Sequence, residues 1–214
     1  KLDLLTINFI DLVNEIHERS FDLGGRTNSK FFIELQAISN VSGNIDRNSD
    51  GIEDSSYIFR ISGVNELNLK DQIGLQGTLT LPGPDGDIEI PYFPSDTVEM
   101  VLERVNLSGV EMVMRLNQAN KLTVKGTPSV DVNNPEFVIR HLQDSGEFLV
   151  NYAGILNQSG ENGGFDWRNA NAISAFKNDD VKFSIAPLAH PSAWIAVNPD
   201  LKRDPTRIAA AFEF

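Results

Sequence analysis

One short segment carries residues whose types and spacing could bind a metal ion. Residues 46–54 read D-R-N-S-D-G-I-E-D, with oxygen-bearing side chains at the first, third, fifth and ninth positions. Calcium takes roughly six to eight oxygen ligands, and alternate side chains of a tight loop can point towards one centre. Gly51 stands at the sixth position, where a sharp turn needs a backbone conformation that is costly for other residues. The pattern predicts a calcium site.

The predicted ligands alternate along this segment. They are the side chains of Asp46, Asn48, Asp50 and Asp54 and the backbone carbonyl of Ile52. The Ile52 side chain is then free to pack inward. An acidic surface turn is the alternative interpretation, because Asp, Asn, Ser and Gly are common turn residues. The spacing, in addition to the composition, favours calcium.

The segment resembles the calcium loops of dockerins, thrombospondin type 3 repeats and EF-hands. The resemblance is local and occurs once in the chain. It departs from the EF-hand at position 12, where Tyr57 replaces the bidentate glutamate, so a seventh ligand would come from elsewhere. The flanking residues, 31–38 and 57–61, are rich in β-branched and aromatic side chains. We therefore expect the loop to connect two β-strands instead of two helices.

Composition limits the functional classes. The chain has 214 residues, of which 41% are hydrophobic, enough for a packed core. Its net charge of −12 disfavours nucleic acid and anionic membranes as partners. The absence of cysteine excludes disulfides, thiolate catalysis and cysteine zinc sites. No apolar stretch is long enough for a transmembrane helix, so we expect no membrane span.

The first twenty residues are predicted to form an amphipathic helix. Apolar side chains recur at three- and four-residue spacing, at Leu2, Leu5, Phe9, Leu12, Val13 and Ile16. Gly24 and Gly25 end the segment. Two interpretations remain open. The apolar face packs on the rest of the chain, or it docks onto a neighbouring subunit with Phe9 among the contacts.

The remainder of the chain shows the two-residue alternation and turn residues of β-strands. Two hairpins are predicted, the first from residues 75–81 and 88–90 and the second from 98–101 and 110–113. Further strands are predicted at 121–125, 136–141, 147–152, 181–185, 193–197 and 208–214. This pattern predicts an all-β, mainly antiparallel β-sandwich, jelly-roll-like or immunoglobulin-like. Residues 1–24 would form the helix and linker, and 25–214 a single domain.

Two further aromatic residues are candidate partner contacts. The long polar loop 157–178 carries Trp167, whose indole could stack on a sugar, anchor a protein partner or pack the loop onto the core. Phe214 ends an alternating apolar segment, which indicates an edge strand or a contact with another subunit.

Catalytic motifs are missing from the sequence. The three histidines lack metalloprotease spacing, and no nucleophile elbow or phosphate-binding glycine loop occurs. We therefore expect a non-enzymatic, calcium-binding structural protein, a self-assembling subunit of an extracellular filament, surface layer or virion. Millimolar calcium outside the cell suits a weak site. The alternatives are a calcium-stabilised carbohydrate- or protein-binding module, with a glycan as its ligand, and a hydrolase with an unrecognised carboxylate pair.

Overall fold

The chain divides into two compact units. The computed structural model describes residues 1–34, 43–169, 171–177, 181–186 and 190–211. The first unit combines Lys1–Leu35 with Pro187–Phe214, and the second is Gln36–Ala186. The predicted boundary after residue 24, between the helix with its linker and a single β domain, stays a prediction.

Two antiparallel sheets, each of four strands, form the framework of the second unit. In chain order the strands are β1 (Ile58–Glu66), β2 (Gly77–Gly83), β3 (Gly86–Tyr92), β4 (Met112–Leu116), β5 (Lys121–Gly126), β6 (His141–Asp144), β7 (Phe165–Asp166) and β8 (Lys182–Ile185). One sheet has the order β4-β5-β1-β8 and the other β3-β2-β6-β7. The predicted mostly β, antiparallel architecture is confirmed at this level.

Alternating side chains of both sheets supply the core of this unit. The fully buried residues on the strands include Ile58, Ile61, Leu79, Leu81, Met114, Leu122 and Leu142. The first predicted hairpin is confirmed as β2–β3, in which Gly83 pairs with Gly86 across a two-residue turn. Gly86 has a φ of 133°, a conformation that favours glycine.

The second predicted hairpin is wrong, because its first arm is a helix. α2 spans Val98–Leu107 and buries four side chains at helical spacing, Val98, Val101, Leu102 and Val105. Thr97 caps its N-terminus by accepting a hydrogen bond from the Met100 N–H. β-branched valines suggested strands, but burial of one helical face outweighed that preference.

Other predicted strands shift or disappear. Residues 148–152 form one turn of π-helix, and 193–194 belong to a short helix, α3 (Pro191–Trp194). The strand predicted at 136–141 lies later, as β6. Residues 31–34 and 208–211 form only isolated bridges, from Phe32 to Val197 and from Phe21 to Ala211. Residues 35–38 and 212–214 of those two predicted strands lie outside the described residues.

The predicted N-terminal helix is confirmed as α1 (Leu2–Arg19), but it buries a different face. Its buried residues are Thr6, Ile7, Ile10, Asp11, Asn14 and His17. The Asn14 side-chain oxygen accepts a hydrogen bond from the Phe32 N–H at 2.7 Å, and its amide nitrogen donates to the Phe32 carbonyl at 3.1 Å. His17 donates from Nδ1 to the Ser29 carbonyl and accepts the Ala209 N–H at Nε2. These bonds offset the cost of burying polar groups.

A fourth helix, α4 (Pro199–Arg203), also lies in the first unit and is followed by a 3-10 turn at Pro205–Arg207. Asn198 caps it by accepting a hydrogen bond from the Asp200 N–H. Of the helices in the described part of the chain, none has the length and apolar character needed to cross a membrane.

An ion pair fixes α2 to the loop that precedes it, and predicts a pH effect. Asp96 accepts two hydrogen bonds from the Arg104 guanidinium, at 2.7 and 3.0 Å, and these bonds hold the carboxyl pKa below its usual range. A lowered folded-state pKa stabilises the fold above the unfolded-state value, near 4. That contribution disappears as the pH falls through the folded-state value.

Asp96→Asn is therefore expected to lower the free energy of unfolding by about 1–2 kcal/mol at pH 7. Urea unfolding at pH 7 and pH 3 measures the change. The deficit relative to the wild type should shrink at pH 3, where the wild-type carboxylate is also becoming protonated. An equal deficit at both pH values would exclude the ion pair as its source.

Candidate functional site

The 46–54 loop closes at its base through backbone hydrogen bonds. The Asn44 and Ile45 N–H groups donate to the Ser55 carbonyl at 2.7 and 3.1 Å, and the Asp54 and Ser55 N–H groups donate to the Ile45 carbonyl. Gly43 lies so close to Ser55 that a Cβ atom would stand 2.1 Å from the Ser55 carbonyl oxygen. The two ends of the loop are thus held side by side immediately before β1.

Inside the loop, oxygen-bearing side chains accept successive backbone N–H groups. The Asp46 carboxylate accepts from Asp50 at 3.1 Å and from Gly51 at 2.7 Å. Asn48 Oδ1 accepts the Asp50 N–H at 3.0 Å, and Asp50 Oδ1 accepts the Ile52 N–H at 2.8 Å. The chain therefore curls around the side chains of the first, third and fifth positions. We call this set of bonds the loop frame.

The backbone conformation of the loop explains its glycine. Gly51 has a φ of 89°, and Ser49 also adopts a positive φ, of 63°. A positive φ is strained for most side chains but not for glycine. The glycine at position 6 therefore permits the turn that brings its N–H to Asp46.

One of the predicted ligands, the Asp54 carboxylate, lies outside this frame. The Asp54 carboxylate caps the base of the loop, where it accepts the Arg47 N–H at 2.9 Å and faces the Ser55 hydroxyl at 3.3 Å. Ile52 does not pack inward as expected, since 64% of its surface is exposed. Tyr57, at position 12, donates its N–H to Asn44 Oδ1 at 2.6 Å. The turn geometry left the Ile52 side chain on the outside.

Trp167 lies next to the loop, although 113 positions separate it from Asp54 in the sequence. The Ser56 N–H donates to the Trp167 carbonyl at 2.7 Å, and the Tyr57 ring packs edge-on against the indole at 5.4 Å between centroids. The Arg47 and Arg168 guanidinium groups lie 5.7 and 5.6 Å from the centre of its ring. The structure thus brings together two segments that the sequence singled out separately.

The indole itself is buried, with 6% of the residue exposed. Its position favours the interpretation in which Trp167 packs its loop onto the core. A side chain that contacts a sugar or a protein partner needs an accessible face. Of the other two candidate partner contacts, Phe9 is half exposed on α1, and Phe214 lies outside the described residues.

The loop fits calcium in the kind of donors it offers. Carboxylate, amide and carbonyl oxygens are the ligands that this hard cation prefers, and the frame folds three of them into one turn. Among the described residues, however, no group of three or more histidine, aspartate or glutamate side chains is gathered so that it could hold a metal ion. The frame is therefore present without a converged carboxylate cluster.

Sequence reasoning missed two polar clusters in the second unit. Glu111 is 5% exposed, forms an ion pair with Arg140 and accepts the Val130 N–H at 2.8 Å. Asp144 is fully buried and accepts hydrogen bonds from the Tyr92 hydroxyl at 2.7 Å, the Gly146 N–H at 2.8 Å and the Leu149 N–H at 2.7 Å. Both clusters join segments distant in sequence.

Burial dominates the electrostatics of the Asp144 cluster. It raises the pKa of Asp144, an effect that the hydrogen bonds from Leu149, Tyr92 and Gly146 oppose. It also raises the pKa of Tyr92, and the hydrogen bond to Asp144 adds to the increase. All three donors point at the carboxylate, so the cluster acts as a structural clamp on the turn that follows β6.

No family model, curated protein or solved structure matches this chain.

Proposed function

We propose that this chain is a non-enzymatic structural protein that calcium stabilises through the 46–54 loop. The loop frame carries the proposal, because it orders Asp46, Asn48 and Asp50 at the spacing that a calcium loop requires. The carbonyl of Ile52 and the carboxylate of Asp54 would complete the ligand set. A cation would offset the repulsion between three aspartates in one short loop.

The position of the loop explains how a bound ion would act on stability. The ends of the loop are bonded to each other, and the Ser56 N–H that follows them donates to Trp167. A ligand that binds only the folded loop stabilises the whole cooperative unit by mass action. Calcium would therefore hold together the loop, the start of β1 and the Trp167 segment.

We also propose a β-sandwich fold and an extracellular setting for this protein. We take the two sheets to pack as a β-sandwich, a view supported by the fully buried side chains that both contribute. A weak calcium site suits the millimolar calcium outside the cell, which favours a subunit of an extracellular filament, surface layer or virion. We do not propose the glycan-binding alternative, because the buried indole offers no stacking surface, and no observation favours the hydrolase.

A thermal melt tests the stabilisation. Calcium at about 100 times the dissociation constant is expected to add about 2.7 kcal/mol to the free energy of unfolding. In a chain of this size that corresponds to a rise of about 5–10 °C in Tm. The melt compares wild-type protein in about 10 mM calcium with the same protein in EGTA.

Two variants assign the shift to the loop. Asp50→Asn keeps the oxygen that accepts the Ile52 N–H but removes the charge, so the metal-free Tm should change little while the calcium shift falls by half or more. Asp131→Asn is the matched control, because it makes the same change at a side chain that accepts a similar bond, from the Asn133 N–H at 2.9 Å, in another turn. It should leave the calcium shift intact. An unchanged shift in Asp50→Asn would contradict the proposal.

A further inference from the structure

α1 presents an apolar surface that the described residues of its own unit leave exposed. Leu2, Leu5, Phe9 and Leu12 are 64%, 67%, 50% and 51% exposed. We call these four residues the seam. The opposite face of the helix, which includes Ile7 and Ile10, is the one that packs inside the first unit. The helix therefore has two apolar faces, and the described part of its unit buries one of them.

The geometry of the seam selects another helix as its occupant. Its members follow a three-four-three spacing, the pattern of the core positions of a two-stranded coiled coil. Such a seam is narrower than the stripe a helix needs against a sheet or a globular core. The Phe9 ring also packs against Phe32, with 5.6 Å between centroids, which holds one knob of the seam in place.

We propose that the seam pairs antiparallel with the seam of a second copy of this chain, so that α1 is the contact of the proposed assembly. This inference rests on the self-assembly part of the proposed function and is independent of calcium. In an antiparallel pair, Leu2 lies level with Leu12 of the second copy, and Leu5 with its Phe9. Each of the four layers is then apolar on both sides.

Charge favours the antiparallel orientation. Lys1 and Glu15 lie two helical heptads apart on the same side of the seam. Antiparallel pairing places Lys1 of each copy beside Glu15 of the other, whereas parallel pairing places these two residues beside the uncharged Thr6 and Ser20 of the other copy. The dipoles of two antiparallel helices attract each other, which also favours this orientation.

The same charges disfavour a lipid surface. α1 carries four acidic residues, Asp3, Asp11, Glu15 and Glu18, and membrane-binding amphipathic helices instead carry an excess of Lys and Arg on their polar face. An anionic bilayer would repel this helix.

The pairing is expected to be weak and concentration-dependent. One pair of helices with four layers buries less than the roughly 1,200 Å² that stable interfaces usually exceed. We expect a dissociation constant in the micromolar range, to be measured by sedimentation equilibrium up to about 1 mM protein. A protein that stays monomeric throughout this range would overturn the inference.

The test variants change two seam residues of which more than half of the surface is exposed. Leu5→Gln with Leu12→Gln keeps residues of good helix propensity and is expected to weaken dimerisation at least tenfold. Leu107→Gln is the matched control, because Leu107 is 85% exposed at the end of α2, outside the seam. It should dimerise like the wild type. Circular dichroism verifies that all variants are folded, and an unchanged dissociation constant in the double variant would refute the seam.

Cysteine cross-linking tests the orientation, since the chain has no native cysteine. An equimolar mixture of Leu2→Cys and Leu12→Cys proteins in a glutathione redox buffer should give mainly the mixed disulfide dimer. Leu2→Cys alone should give little dimer. The reverse result would establish a parallel pair and contradict the proposal.

Repeating sedimentation in calcium and in EGTA separates this inference from the calcium site. Dimers in both buffers, with or without a calcium shift in Tm, support the seam on its own. Binding to neutral phosphatidylcholine vesicles without dimerisation would instead identify the seam as a lipid contact and overturn the inference.

Discussion

Trp167→Ala is expected to lower the free energy of unfolding by about 3–5 kcal/mol. The indole is nearly buried and packs against Tyr57, so its removal leaves a cavity beside the 46–54 loop that the neighbouring side chains only partly fill. The guanidinium groups of Arg47 and Arg168 lose the ring over which they lie. Urea unfolding followed by far-ultraviolet circular dichroism measures the loss.

Two comparisons make this result specific. Trp167→Phe keeps an aromatic ring in the cavity and should cost less than half as much. Trp194, the second tryptophan, is only partly buried, so Trp194→Ala should also cost less. A loss below about 1 kcal/mol for Trp167→Ala would mean that the indole contributes little to the core. Such a result would favour the interpretation in which Trp167 binds a partner.

The second large effect is expected at Asp144. Asp144→Ala should lower the free energy of unfolding by about 3–5 kcal/mol, because it leaves two buried donors and one half-buried donor without this acceptor. These are the Tyr92 hydroxyl and the N–H groups of Gly146 and Leu149. The turn after β6 should open, and hydrogen exchange of the Leu149 amide should accelerate.

A graded series tests the clamp. Asp144→Asn retains one oxygen for Tyr92 and Gly146 but points an amide donor at the Leu149 N–H, so its cost should be intermediate. Tyr92→Phe removes one donor and should cost about 1–2 kcal/mol. Equal losses in Asp144→Asn and Asp144→Ala would show that charge, and not the pattern of acceptors, holds the segment. A loss of free energy of unfolding under about 1 kcal/mol in Asp144→Ala would show that Asp144 does not clamp this segment.

Sequence patterns predicted elements that local residues specify. α1, the β2–β3 hairpin, β5 and β8 follow from spacing and turn residues within each segment. α2 was also specified locally, by the Thr97 cap and the helical spacing of its valines, but its β-branched residues favoured the strand interpretation. That error came from weighting propensity above periodicity.

Contacts between distant segments account for most other differences. The segment after β6 was predicted as a strand, yet it forms a helical turn whose Leu149 N–H donates to Asp144, a carboxylate that the distant Tyr92 hydroxyl also contacts. The buried face of α1 depends on Asn14 reaching the backbone of Phe32. The helix has two apolar faces, and periodicity cannot say which of them its own unit covers.

In the candidate site, too, local features could be predicted from the sequence and tertiary contacts could not. The spacing of residues 46–54 is visible in the sequence and forms the loop frame. The sequence could not show that Ile52 faces outward or that Trp167 adjoins the loop, because both depend on tertiary packing. The calcium ligand set itself stays a prediction.

The most direct test of the calcium site is equilibrium dialysis with radioactive calcium. The wild-type chain is expected to bind one ion per molecule with a dissociation constant of about 0.1 mM. Asp50→Asn should weaken binding tenfold or more, and Asp131→Asn should bind like the wild type. Absence of binding to the wild type at about 10 mM calcium, or equal binding by Asp50→Asn, would contradict the proposal and leave residues 46–54 as an acidic turn.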